Sequence, residues 1–103
     1  MTVTLLNERL AGSLGRVVAA RFEFSDRDEW WRAFNFCSDV LGEVAPINRG
    51  DVTYYSDKWF SPIREIPGRR SSAWQYAIVV FSRADADILL QRLNGDLDNA
   101  THA

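Results

Sequence analysis

Val18-Ala19-Ala20-Arg21-Phe22-Glu23-Phe24-Ser25-Asp26-Arg27-Asp28 reads as a strand that turns into a helix. Val18, Ala20, Phe22 and Phe24 share one side of an extended chain, and Ala19, Arg21 and Glu23 the other, so one face is core and the other partly wet. Ala77-Ile78-Val79-Val80-Phe81-Ser82-Arg83-Ala84-Asp85 repeats the form. Each is a β-rich run ending in Phe, then Ser, then Asp three residues after the Ser. A serine hydroxyl in that place is expected to accept an orphan N–H of the first helical turn. The aspartate imitates the acid of a capping box and suits the positive end of the helix dipole. Two strand-to-helix units therefore organise the chain.

Outward from the first unit, Asp26 to Leu41 is predicted as a helix. Trp30, Phe34, Cys37 and Leu41 form its buried stripe, with Ala33 and Val40 beside it, and Gly42 stops it. Trp31 and Phe36 fall outside that stripe and are candidate exposed anchors. Glu43 to Gly50 reads as a loop around Pro46, and Asp51 to Ser56 as a strand that extends towards Phe60. Ser61 to Ser72, with Pro62, Pro67 and Gly68, reads as a long irregular segment, a kind of loop that is often functional. Ala73 to Phe81 is a strand with apolar residues on both faces. Arg83 to Leu93 is a helix with Ala86, Leu89, Leu90 and Leu93 inward, closed by Asn94-Gly95. Residues 1–14 fit a strand or a short helix equally, and residues 96–103 read as an acidic tail.

The order β-α-β-β-α predicts an α+β two-layer sandwich of ferredoxin-like, split β-α-β type, with two helices on one face of an antiparallel sheet. At 103 residues the expectation is one domain over 1–103. Hydrophobic content of 47% and charged content of 25% are ordinary for a globular chain. A formal charge of −2 and a pI near 5.3 place no global basic field on the molecule. No run of apolar residues reaches membrane-spanning length and no signal-peptide layout opens the chain, so a cytoplasmic protein is expected.

Chemistry is sparse. His102 is the only histidine and Cys37 the only cysteine, so no zinc spacing exists and neither a metal nor a cofactor is expected. Cys37 lies on a buried stripe, where a thiol behaves as a small hydrophobe. Asp26/Asp28 and Asp85/Asp87 sit in first helical turns and read as dipole complements. Arginine outnumbers lysine eleven to one, and there are four tryptophans. These are the residue types that dominate binding hot spots.

After a core of Phe22, Phe24, Trp30, Phe34, Ile78, Val80, Leu89, Leu90 and Leu93 is assigned, a surplus of aromatics remains. Tyr55, Trp59, Phe60, Arg64, Arg69, Arg70 and Trp74 are the expected partner-binding surface, on the sheet face and the long loop. The leading expectation is a small non-enzymatic protein-interaction module, an inhibitor or adaptor of the immunity, antitoxin or phage anti-defence kind. Its partner would be another protein with a basic surface, or a second copy of the chain. One alternative is a dimeric ferredoxin-like small-molecule-binding protein or enzyme of monooxygenase or isomerase type. Another is an RNA-binding sheet, which needs Tyr54, Tyr55, Trp74 and Tyr76 on one open face. The aromatic signature of RNA-recognition sheets is absent, so nucleic acid is the weakest partner.

Overall fold

The computed structural model describes residues 1–10, 13–49, 52–66 and 73–96. Eight elements follow in order: β1 (Thr2–Arg9), β2 (Val17–Phe24), α1 (Arg27–Leu41), β3 (Ala45–Arg49), β4 (Val52–Tyr55), β5 (Trp59–Ile66), β6 (Ala73–Val80) and α2 (Arg83–Asp96). The six strands make one sheet in the order β1-β2-β6-β5-β4-β3, and every neighbouring pair is antiparallel.

The chain is thus α+β, as its alternating patterns require, but the ferredoxin-like strand order is not the one formed. Only α1 crosses over. It carries the chain from β2 past three intervening strands to the far edge. From there β3, β4, β5 and β6 return as a meander. Two residues separate β3 from β4 and three separate β4 from β5, and connections that short make sequential strands antiparallel neighbours.

Four segments differ from the sequence reading. The Glu43–Gly50 loop contains β3, whose Pro46 is tolerated because an edge strand leaves one side of its backbone without a ladder partner. The strand expected over Asp51–Ser56 is formed as β4, but its extension towards Phe60 is interrupted at Ser56. There the hydroxyl accepts the N–H groups of Lys58 and Trp59 at 3.3 and 3.2 Å and donates to the Trp59 carbonyl at 3.1 Å, closing a tight turn. The irregular segment begins as a regular strand, β5, through Ile66, while residues 67–72 lie outside the described residues. At the C-terminus α2 runs through Asn94-Gly95 to Asp96, and the rest of the tail lies outside the described residues. Of the two options for the N-terminus, the strand is formed.

Both helices cover one face of the sheet. Trp30, Ala33, Phe34, Cys37 and Leu41 of α1 and Ala86, Leu89 and Leu93 of α2 share a single buried cluster with Ala20, Phe22, Phe24, Trp59, Ile78 and Val80. Two tryptophans tie α1 to the sheet with their indole N–H groups. Trp30 Nε1 donates to Ser61 Oγ at 3.0 Å, and Ser61 passes a hydrogen bond to the Ala77 carbonyl at 2.7 Å. Trp59 Nε1 donates to the carbonyl of Gly42 at 2.9 Å, just beyond the helix, where φ is +106° and glycine is favoured.

The two strand-to-helix junctions are not equivalent. In the second, Ser82 caps α2, its Oγ facing the Asp85 N–H at 3.5 Å. In the first, the cap is Asp26 rather than Ser25. The Asp26 carboxylate accepts the Asp28 N–H at 2.9 Å, and its backbone is extended at φ −102°, ψ 123°. Asp26→Ala is therefore expected to lower stability by about 0.5–2 kcal/mol. Ser25→Ala should stay within about 0.5 kcal/mol of the parent, as exposed substitutions usually do. Urea midpoints of the two variants check this. A larger loss from Ser25→Ala would return the cap to the serine.

Candidate functional site

The antiparallel registers carry two rows of side chains across the sheet. Leu5, Ala20, Val80 and Trp59 are successive partners on the side of the sheet that carries the helices. One residue along, Thr4, Arg21, Val79, Phe60, Tyr55 and Ala45 are successive partners across all six strands. By strand alternation this second row faces away from both helices. It is the ground of the candidate site.

The face has an apolar sector and a polar sector. Phe60 and Val79 are each only 1% exposed although they face away from both described helices. Neighbouring rings enclose them. Phe60 lies 6.0 Å from Tyr55 and 5.4 Å from Phe81, and Tyr55 and Phe81 are 6.2 Å apart. Leu6, Leu10 and Ile47 complete this second cluster with Val18. The Arg16 guanidinium stands 3.8 Å from the centre of the Phe81 ring, a cation–π distance, and donates to the main-chain carbonyl of Asp57. In the polar sector Arg21 Nε approaches Glu23 Oε1 at 3.0 Å, an ion-pair contact without hydrogen-bond alignment. Gln75 Nε2 reaches the same oxygen at 3.4 Å.

A notch of about 340 Å³ opens beside Phe81. Leu6, Val17, Val18, Ala19 and Phe81 make its apolar lining, and Asn7 and Arg83 supply its polar groups. Leu6 and Asn7 are the two residues skipped by the ladder between Leu5 and Glu8 of β1. A bulge of this kind re-aims side chains, and here it builds one wall of the notch. The volume is at the low end for a ligand pocket.

The residues singled out in the sequence are divided by this geometry. Tyr55 is half-buried on the helix-free face, as part of its ring cluster. Phe60 is on that face but beneath the surface. Trp59 is fully buried on the opposite face, edge-on to Phe34 at 5.1 Å, so it belongs to the core rather than to an exposed patch. Alternation along β5 is the reason: adjacent residues cannot share a face. Arg64 pairs with Gln75 in the ladder and Trp74 with Glu65, while Arg69 and Arg70 lie outside the described residues. Tyr54 and Tyr76 turn towards the helices, against Phe34 at 4.9 Å and Trp30 at 5.0 Å. The three tyrosines of the RNA reading therefore do not form one platform. On α1, Trp31 is 49% exposed and stacks on Phe34 at 5.4 Å. Phe36 is half-buried, with the Arg92 guanidinium 5.4 Å from its ring centre.

Sequence reasoning missed Phe81, Arg16, Leu6 and Val17. Phe81 resembles Phe24 in its local sequence, yet Phe24 faces the helices and is 2% exposed, while Phe81 joins the other cluster. The usable signal was parity: Phe81 is in phase with Val79, not with Ile78 and Val80.

Cys37 is buried, and loss of solvation pushes its thiol up to about 12 from 9.0. The protonated thiol is thus favoured by folding. Stability from this difference is complete below pH 9, falls as pH rises from 9 and is lost by about 12. A thiol reagent at pH 8 should modify Cys37 only through unfolding, at a rate that urea accelerates. Fast modification of the native protein would contradict this burial. Among the described residues no three His, Cys, Asp or Glu side chains converge as a metal site. No described helix is long and apolar enough to cross a membrane. Compared with protein-family models, curated proteins and solved structures, the chain matches none.

Proposed function

We propose that this chain is a non-enzymatic protein-interaction module, an inhibitor or adaptor that occludes a partner through the helix-free face of its sheet. The observation that carries the reading is the notch beside Phe81, with the Arg16 guanidinium stacked on the same ring. An apolar recess bordered by an aromatic and an arginine is the usual setting of an interface hot spot. Among the described residues Arg16 has no carboxylate within ion-pair distance, so its charge remains available to a partner. Val17 lies in the notch and is 45% exposed, a position where a large apolar group is better covered by a partner than by water. The acidic balance of the whole chain, formally −2, favours approach to a basic protein, with an association rate that falls as salt rises.

Affinity capture from the native host, repeated with Val17→Asp and Arg16→Ala, tests the reading. Both side chains are exposed enough for folding to survive, which circular dichroism verifies. The principal captured protein should be lost from Val17→Asp and reduced at least about tenfold by Arg16→Ala, as hot-spot truncation requires. Undiminished capture by both folded variants would remove the notch from the interface.

A further inference from the structure

The two edges of the sheet are not alike. β3 is five residues long, contains Pro46, and its ladder shifts between Pro46 and Arg49. Proline and irregularity are the standard protections of an edge against pairing with another chain. β1, at the opposite edge, is eight residues long. Its protections, the bulge and the charges of Glu8 and Arg9, all lie in its second half. Thr2-Val3-Thr4-Leu5-Leu6 carries no charge, proline or glycine, and Leu5 is 48% exposed. Among the described residues no strand lies beside its outer backbone edge.

We propose that this half of β1 pairs with the same segment of a second copy, antiparallel, about a two-fold axis normal to the sheet at Thr4. The register follows from alternation. Such an axis keeps both helical layers on one side, so directly opposed residues must come from the same face. Val3 packs against the helix-side cluster, and Leu5 shares its face. Setting Thr4 opposite Thr4 of the partner copy places Val3 against Leu5 twice and Thr2 against Leu6 twice. The five uncharged residues then face one another across the axis, with Leu6 at the start of the bulge, and Leu5, flanked by Ala20 on its inner side and 48% exposed, gains an apolar neighbour on its outer side. Thr–Thr and apolar cross-strand pairs are favourable, whereas like charges directly opposed are not. Arg21, one strand further in, is separated from its symmetry mate by three strand spacings, about 14 Å. That exceeds the screening length of about 8–10 Å at ordinary salt. A register shifted by two residues towards the bulge brings both bulge residues, Leu6 and Asn7, into the ladder, whereas the Thr4-centred register involves Leu6 alone and only at its end. The assembly continues the sheet through both copies and sets two helix-free faces side by side, whichever partner those faces take.

Sedimentation equilibrium and covalent trapping test the pairing. The parent chain should sediment at twice 11.8 kDa and dissociate on dilution. Leu5→Lys should weaken the dimer at least about tenfold by placing a charge in the apolar pair, with the fold unchanged by circular dichroism. Thr4→Cys should give a covalent dimer with a short bis-maleimide crosslinker, because directly opposed residues bring Cβ atoms to about 4.5–5.5 Å, somewhat beyond direct disulfide reach. Ile88→Cys, exposed on α2, should not, and buried Cys37 does not compete. A parent chain that stays monomeric at all concentrations overturns the proposal. So does a dimer that Thr4→Cys fails to trap, or trapping by Ile88→Cys to the same extent. Should Leu5→Lys fail to fold, the trapping comparison decides alone.

Discussion

Trp59→Ala is expected to destabilise the protein by about 3–5 kcal/mol, the cost of truncating a large aromatic in a packed core. Trp59 is fully buried, edge-on to Phe34 at 5.1 Å, and its indole N–H holds the Gly42 carbonyl at 2.9 Å. The substitution therefore removes ring contacts and leaves a carbonyl at the end of α1 without its donor. Domains of this size are stable by about 5–15 kcal/mol in all, so the variant should be largely unfolded near physiological temperature. Trp59→Phe separates the two contributions. It retains most of the ring packing and loses the hydrogen bond, for an expected cost of about 1–3 kcal/mol. Urea unfolding followed by far-ultraviolet circular dichroism measures both. If Trp59→Ala cost less than about 1 kcal/mol, the placement of this residue beneath α1 would be untenable.

Ser61→Ala should cost about 2–3 kcal/mol although it removes a single oxygen atom. That hydroxyl is fully buried, accepts from Trp30 Nε1 and donates to the Ala77 carbonyl. Its loss leaves a buried donor unsatisfied, and desolvation without compensation is the costly case. A double-mutant cycle makes the prediction specific. Trp30→Phe removes the donor, so Ser61→Ala introduced on that background should be less costly than in the parent. The two residues are in contact, and a coupling of about 0.5–3 kcal/mol is expected. Strict additivity would mean that the hydrogen bond contributes nothing to the anchoring of α1.

Much of the scaffold was legible in the chain. The two strands flanking the core, the two helices and the inward stripes of both helices follow from local periodicity, and local periodicity reflects which side of an element meets water. β3 and the Ser56 turn were not legible. Pro46 reads locally as a loop signal, and only its place at a sheet edge makes a strand compatible with it. Ser56 to Trp59 reads locally as continuing strand, and only the hydroxyl's geometry reveals a turn. The candidate site was partly legible. The aromatic surplus was real, but its partition between two faces depends on where each strand starts and on register.

The doubled Phe-Ser-x-x-Asp pattern marks that boundary. That two strands run into two helices is written in the chain locally, in the apolar alternation and the polar first turns. So is the presence of more aromatics than one helix-covered core needs. The difference between the two junctions emerges only when the chain is folded. The first helix is capped by Asp26, two residues past its phenylalanine, and the second by Ser82, one residue past. Phe24 consequently lies under the helices while Phe81 joins the opposite face and becomes a wall of the notch. The physical reason is the period of two along a strand: a one-residue offset costs nothing locally, yet it sends a side chain to the other side of the sheet. The same rule, acting through the pairing of β1, β2, β6, β5 and β4, assembled Arg16, Leu6, Tyr55 and Phe60 around that phenylalanine from segments distant in the chain.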